Sequence, residues 1–298
     1  MTYFNNLGQG RIGWKSPGSG PTLPYLLDTY SGAAAAYSLR KLRAAYTGFA
    51  VRVRRASDNT SQDIGFNGSG GLDTTALTSF IGSSNAFVAI WYDQSGRTND
   101  IINTTSAQQP QIAQAGTIFT QFGKPTVKFN GSTSALGKST LDFTVNGLTS
   151  MSIISVVNTI ADDSTSPRGL MGIIPDSGWG TVTQGCTIRR IGWRFGTGQG
   201  GNTMTFTLPS NTNNSIISTY HNNNTEILRT NGVDRITYTD KLSTIANTGQ
   251  QLIVGFNFVY GSASYHSGTI SEMIIFTNNQ ISNRAAIETA INTNYTVY

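Results

Sequence analysis

Short apolar runs cut by turn residues fill most of this chain, and that rhythm restricts its fold more than any other feature. Beyond Phe129 the strand-like runs are Met151–Asn158, Gly169–Ile174, Cys186–Phe195, Met204–Leu208, Ser215–His221, Glu226–Thr230, Arg235–Tyr238, Leu252–Phe258 and Gly268–Phe276. Strands of this length at roughly 8–12 residue spacing predict a β-sandwich or barrel. Asn222-Asn223-Asn224 and Asn231-Gly232 predict two tight hairpins and Asn130-Gly131 a turn, because Asn and Gly tolerate the positive φ that such turns need. Only 12% of the 298 residues are charged and 33 are glycine. Low charge with many small polar residues suits an all-β protein, while the recurring apolar runs argue against disorder. Ile281 to Tyr295 predicts a closing helix, with Ser282 as N-cap and Ala286, Ile287, Ala290 and Ile291 as its buried stripe.

The segment Ala33 to Gly96 departs from this rhythm. Ala35, Leu39, Leu42 and Tyr46 step by four, three and four, which predicts an amphipathic helix with Arg40, Lys41 and Arg43 pointing elsewhere. Val51 and Val53 alternate with Arg52 and Arg54, the period of a half-buried strand. Asp73 is placed to cap a short helix over 74–81. Asn85 to Tyr92 predicts a strand that delivers Asp93 into a turn closed by Gly96.

The order of these pieces carries a resemblance. The Tyr-Ser-Leu-Arg-Lys-Leu-Arg run (37–43), Val-Arg-Val-Arg-Arg (51–55), Gln62-Asp63-Ile64-Gly65-Phe66, Gly71-Leu72-Asp73 and the motif Trp91-Tyr92-Asp93-Gln94-Ser95-Gly96 resemble the N-terminal part of the α-L-arabinofuranosidase B catalytic domain. They resemble more closely the copies of that module found in bacteriophage virion proteins. The resemblance implies a mainly β fold: a concanavalin A/laminin-G-like β-sandwich, or jelly roll, with a few short helices. It covers about Ala33 to Phe129.

Retaining glycosidases need two carboxylates flanking the scissile bond. The resemblance implies a nucleophilic Glu on a strand after a Thr-Trp-Gly segment. Ser177-Gly178-Trp179-Gly180 resembles that segment, and Trp179 matches a sugar-contacting Trp. The following run, Cys186 to Phe195, holds no acid, and no Asp or Glu occurs between Asp176 and Glu226. The implied second acid follows a Leu-Gly-Ile-Gly-Gly strand end, for which the match is Val254-Gly255-Phe256-Asn257. No Asp or Glu occurs between Asp240 and Glu272, and the adjacent cysteine pair of the family is absent, Cys186 being the only cysteine. The sequence therefore predicts the fold without the catalysis. A new pair among Asp93, Asp100, Asp162, Asp163 and Asp176 is the alternative. Asp93 reads as an acid capping its own turn, and Glu272 as a satisfied structural acid. An acid-free pocket at Trp179, Trp193 and Asn257 is the expected ligand site, with sandwich core as the competing reading of the tryptophans.

The net charge of +5 gathers in Arg40, Lys41, Arg43, Arg52, Arg54 and Arg55. Two readings are open: a patch for phosphate or anionic glycan, or a solvated face beside an edge strand, which the alternation favours. His221 and His266 lack Cys or acidic neighbours at ligand spacing, so no metal site is expected, and no cofactor. Residues 1–22, rich in Gly, Pro and Ser, are expected to form a docking arm anchored by Phe4, Ile12 and Trp14, ahead of one domain over 23–298. No signal peptide is read at the start and no membrane span anywhere. The composite expectation is a non-enzymatic bacteriophage virion protein of tail, fibre or capsid decoration, made in the host cytoplasm. It would be a homo-oligomer that docks on other virion proteins, binds host-surface polysaccharide through a lectin-like face and binds no nucleic acid. The alternatives are an arabinofuranosidase-like glycoside hydrolase with relocated carboxylates and a purely structural decoration protein.

Overall fold

The computed structural model describes residues 25–159, 169–174, 185–189, 194–196, 214–240, 244–245, 250–257 and 264–298. They form a β-sandwich whose two layers belong to one continuous antiparallel sheet. In the back layer, strand Ser267–Phe276 pairs from Gly268 to Phe276 with residues 152–159 of Ser150–Thr159, with a bulge between Val156 and Val157. On its other edge it pairs with Ala33–Ser38 and with Val127–Asn130. Asn214–Asn222, Thr225–Thr230 and Val233–Tyr238 extend this layer as a meander. The front layer runs from Ser61–Ile64 through Val51–Arg55, Ala86–Trp91, Ile101–Ile102, Leu136–Lys138, Gln251–Val254 and Gly169–Ile174 to Gly185–Arg189. Gln111–Gln114 joins the layers by pairing with Val127–Asn130 on one side and Ala86–Trp91 on the other.

The main core lies between the layers. Val51, Val53, Val88, Trp91, Leu136, Leu252 and Val254 come from the front; Tyr37, Val127, Phe129, Met151, Ile153, Met273 and Ile275 come from the back. A second core lies on the outer face of the back layer. There helices α1 (Leu26–Thr29) and α3 (Arg284–Tyr295) bury Leu26, Leu27, Ile287, Ile291 and Tyr295 against Ile154, Val156, Ile216, Tyr220, Ile274 and Phe276. Helix α2 (Thr74–Ile81) drops Leu77 and Ile81 into the main core and is capped as expected, Asp73 accepting from the Ala76 N–H at 2.9 Å.

The structure corrects the helix expected over 33–46. Ala33–Ser38 is a strand with all six residues buried. It lies between the two cores, Ala35 and Tyr37 facing one and Ala33 and Ala36 the other, with a bulge between Ala33 and Ala35 that shifts the alternation. A strand covered on both faces reads as an unbroken apolar run, and alanine fits where two layers close on it. The expected cap of α3 is also corrected. A 3₁₀ turn, Ile281–Asn283, leads into the helix, and Asn283 makes no side-chain cap bond. Ala286 is exposed, and the buried face instead includes Glu288 and Tyr295. The run expected over Cys186–Phe195 is two strands, Gly185–Arg189 and Arg194–Gly196. Met204–Leu208 lies outside the described residues. The hairpins at Asn222–Asn224 and Asn231–Gly232 form, with positive φ at Asn223, Asn231 and Gly232, and the Asn130–Gly131 turn forms with positive φ at Gly131 without joining a hairpin.

Candidate active site

The motif Trp91 to Gly96 is a buried polar junction at the end of strand Ala86–Trp91. Asp93 is 3% exposed. Its Oδ1 accepts from the N–H groups of Ala36 and Ser95, both at 2.8 Å. Its Oδ2 accepts from the Ser95 hydroxyl at 2.6 Å and the Asn99 N–H at 3.0 Å. Burial pushes the Asp93 carboxyl above its ordinary range, and the bonds from Ser95, Asn99 and Ala36 oppose that rise. Gln94 fills the neighbouring turn: it accepts from the Leu42 N–H and donates to the carbonyls of Ser38 and Arg40. Gly96 adopts φ +93°, a left-handed conformation that closes the turn, and Arg43 donates to the Ser95 carbonyl. Trp91 sits in the core against Tyr37, ring centroids 6.2 Å apart. Tyr92 turns outward and donates to Asp63 at 2.6 Å. The motif thus ties residues 34–43 to the front layer, and Asp93 has no spare lone-pair direction for substrate.

Two further acids lie beside it, Asp100 on the Asp93 backbone and Asp142 on the Asn99 side chain. Asp100 Oδ1 accepts from the Asp93 N–H at 2.8 Å. Asp142 Oδ1 accepts from the Asn99 amide at 2.6 Å, while the Asp142 N–H donates to Asn99 Oδ1 at 3.0 Å. The second Asp142 oxygen lies 3.7 Å from Arg97. Asp100 is half-buried and Asp142 exposed. The Tyr37 hydroxyl donates to the Asn99 carbonyl at 2.5 Å, and it is held in its neutral form by burial first and then by Asp93, Asp100 and Asp142. Three carboxylates and a buried phenol are therefore gathered around residues 93–100. Sequence reading named Asp100 only as one acid among several. It missed Asp142, since nothing local ties residue 142 to residue 99.

Several other acids among the described residues are engaged in ion pairs. Glu272, 1% exposed, takes a two-pronged bond from Arg40 at 2.7 and 2.9 Å and also accepts from the hydroxyls of Ser38 and Tyr295. Asp63 is paired with Arg52, Asp58 with Arg55, and Asp234 with both Arg229 and Arg284. The basic residues of the opening segment are mostly consumed in this way. Arg54 donates to Gln109 and Asn59 and lies 4.9 Å over the Phe87 ring. Arg55 also donates to the Phe80 carbonyl.

Of the expected ligand site, Trp179 and Trp193 lie outside the described residues, as do Asp162, Asp163 and Asp176. Asn257 is placed by its backbone alone, paired with Ser264. Beside it the Phe256 and Tyr265 rings pack at a tilt, centroids 4.6 Å apart, and with Ile253 and Ala135 form a small apolar cluster separate from the two larger cores. The expected arm residues Phe4, Ile12 and Trp14 also lie outside the described residues. Among the described residues no three His, Cys, Asp or Glu side chains gather closely enough to hold a metal ion.

Comparison with known proteins gives this geometry its setting. The family model of the α-L-arabinofuranosidase B catalytic domain matches residues 28–135. A GH54 α-L-arabinofuranosidase soaked with a cyclic sulfate inhibitor superposes with a TM-score of 0.68 at 14% identity, over 91% of this chain and 64% of that one. An arabinofuranosidase in complex with arabinofuranosyl-α-1,2-xylobiose gives 0.64 at 14% identity with the same coverage. The chain thus spans 64% of the length of the arabinofuranosidases it matches. No curated protein matches it by sequence. These matches correct the expectation of a protein that is not an enzyme, because the family model and both structures are of arabinofuranosidases, which are glycoside hydrolases. At 14% identity the likeness establishes the fold: this chain is an arabinofuranosidase-like β-sandwich.

Proposed function

We propose that this chain is a glycoside hydrolase acting on α-L-arabinofuranosyl linkages, with its carboxylate pair moved away from the family's two strands. The observation that carries the reading is the superposition on arabinofuranosidases over 91% of the chain. The strands that match the family's acid positions hold no Asp or Glu, so the acids come from elsewhere. Asp100 and Asp142 are the described candidates. Each has an oxygen that accepts no hydrogen bond from the described residues; Asp142 is bound to the Asn99 side chain, and Asp100, the next residue in the chain, accepts from the Asp93 N–H. Hydrolysis needs one such group as acid and the other as nucleophile or base.

The test is release of arabinose from nitrophenyl arabinofuranoside and from arabinofuranosyl-xylobiose. Turnover above a no-protein control is expected. D100N and D142N should each lower kcat by about a thousandfold or more. Both substitutions keep the oxygen that accepts from the neighbouring N–H, so the fold should persist. Wild-type protein inert on both substrates, or variants as active as wild type, would refute the assignment. A virion setting, the docking arm and a lectin-like face remain sequence expectations that this reading does not require.

A further inference from the structure

A cavity of about 780 Å³ opens between α1, α3, the turn 39–42, the loop 69–72 and the strand Lys124–Pro125. It lies on the side of the back layer covered by the helices, and none of Asp93, Asp100 or Asp142 lines it. Its size falls in the range of small-molecule sites. Its charge is one-sided: Arg40, Lys41 and Lys124 line it, and no Asp or Glu does. Glu272 lies behind the wall and is committed to Arg40, to which it is bound through Nε and Nη2. Lys41 and Lys124 form no ion pair with any described residue; the Lys41 ammonium rests 5.6 Å from the centre of the Tyr25 ring. Two cations without counter-charge in a concavity raise the local concentration of anions and orient them.

The remaining lining narrows the kind of anion. Tyr25, Tyr30 and Tyr295 contribute aromatic surface, and Leu26, Leu39, Leu72 and Pro125 apolar surface. Thr29, Ser69, Thr289, Thr293 and Asn294 supply short hydroxyl and amide groups. Aromatic planes for C–H faces, short polar groups for hydroxyls and cations for a carboxylate make up the complement of an acidic sugar. A bare phosphate would use the cations and leave the apolar walls unpaired. We propose that this cavity is a second, non-catalytic site that binds a carboxylated saccharide such as a hexuronate-bearing oligosaccharide, with Lys41 and Lys124 facing the carboxylate.

The proposal does not rest on hydrolysis, and binding is read without turnover. The probe is a short hexuronate oligosaccharide, titrated calorimetrically into the full chain beside its carboxyl-reduced neutral counterpart. Binding of the acidic form should weaken as salt rises, because the attraction is screened. It should exceed that of the neutral form by at least about tenfold, one step of roughly 1.4 kcal/mol. The double variant K41M/K124M should lose that difference while keeping the wild-type melting temperature. A second variant, Thr293→Trp, fills the cavity from the exposed face of α3 and should abolish binding of both forms. Equal affinity for the acidic and neutral sugars, or full binding by the filled variant, would overturn the site. So would inorganic phosphate or poly-glutamate competing as strongly as the oligosaccharide, by showing a general anion patch.

Discussion

At the level of single residues, the consequential groups are buried charges whose partners come from distant parts of the chain. Asp93 has four donors around two oxygens. Replacing it with Asn turns one acceptor into an N–H₂ that faces donors. Two buried donors then lose their partner at about 1–3 kcal/mol each. Asp93→Asn should therefore destabilise by about 2–4 kcal/mol in urea titrations, although it removes a charge whose burial is itself unfavourable. The sign of its pH effect follows from the raised carboxyl: the protonated form is favoured in the fold, so its contribution to stability is lost as pH rises through the folded pKa. Arg40 is the second such group. Its removal leaves Glu272 buried with only hydroxyl donors, and an unpaired buried charge costs about 3–5 kcal/mol. Arg40→Ala should lower the denaturation midpoint accordingly, and the Arg40→Ala/Glu272→Gln pair should recover part of that loss. Equal losses in the single and double variants would show that the ion pair is not the cause.

Among the elements, two contacts decide how secondary structures dock. The hairpin Val51–Arg55/Ser61–Ile64 carries Arg52 opposite Asp63. The Asp63 carboxyl is held below its ordinary range, chiefly by hydrogen bonds from Arg52 and also by the Tyr92 hydroxyl. A depressed carboxyl stabilises the fold above its unfolded pKa, and that contribution is lost as pH falls through the folded value. Half-exposed pairs of this kind contribute about 1 kcal/mol or less. Asp63→Asn should therefore flatten the loss of stability between roughly pH 5 and pH 2 by that amount, measured by urea melts at each pH. Helix α3 is held by Glu288, which is fully buried. It accepts from the Ser218 hydroxyl, from Arg229 Nε at 2.9 Å and from the Gly232 N–H at 3.0 Å. One side chain thus joins the helix to a strand and to the Asn231–Gly232 turn. Glu288→Ala should cost about 3–5 kcal/mol, because Arg229 keeps its burial and loses one of two acids. Hydrogen exchange should then rise in α3 and in the hairpin 225–238 together; a rise confined to α3 would refute the coupling.

For the whole molecule, the continuous sheet matters most. Gln111–Gln114 bonds to both layers, so neither layer can separate without breaking its ladders. Ala33–Ser38 faces both cores and couples the helical layer to the sandwich. One cooperative transition is expected, with far-ultraviolet dichroism and tryptophan fluorescence giving the same midpoint. Separate midpoints would mean that the two cores unfold independently. The same layout puts the two candidate sites in different places: the acids around Asn99 where residues 93–100 meet residue 142, and the cationic cavity against α1 and α3. Occupying the cavity with hexuronate should therefore leave arabinofuranoside hydrolysis unchanged.

The sequence by itself determined what local chemistry controls. Strand runs, Asn-Gly turns, the Asp73 cap and the closing helix are set by residues within a few positions of one another. The Trp91–Gly96 motif, with its neighbours, also sufficed to point to the arabinofuranosidase-like fold. Only the tertiary structure decided what depends on burial from both sides or on distant partners. Ala33–Ser38 carries a helical spacing in sequence and is a strand, because two cores close on it and propensity yields to packing. The Arg and Lys cluster from 40 to 55 divides by partner. Arg52 finds Asp63 across a hairpin and Arg40 finds Glu272 across 232 residues, while Lys41 and Lys124 line one cavity. Charge can be counted along the chain, but what a charge does is set by what folding brings opposite it, and sequence spacing carries no record of that.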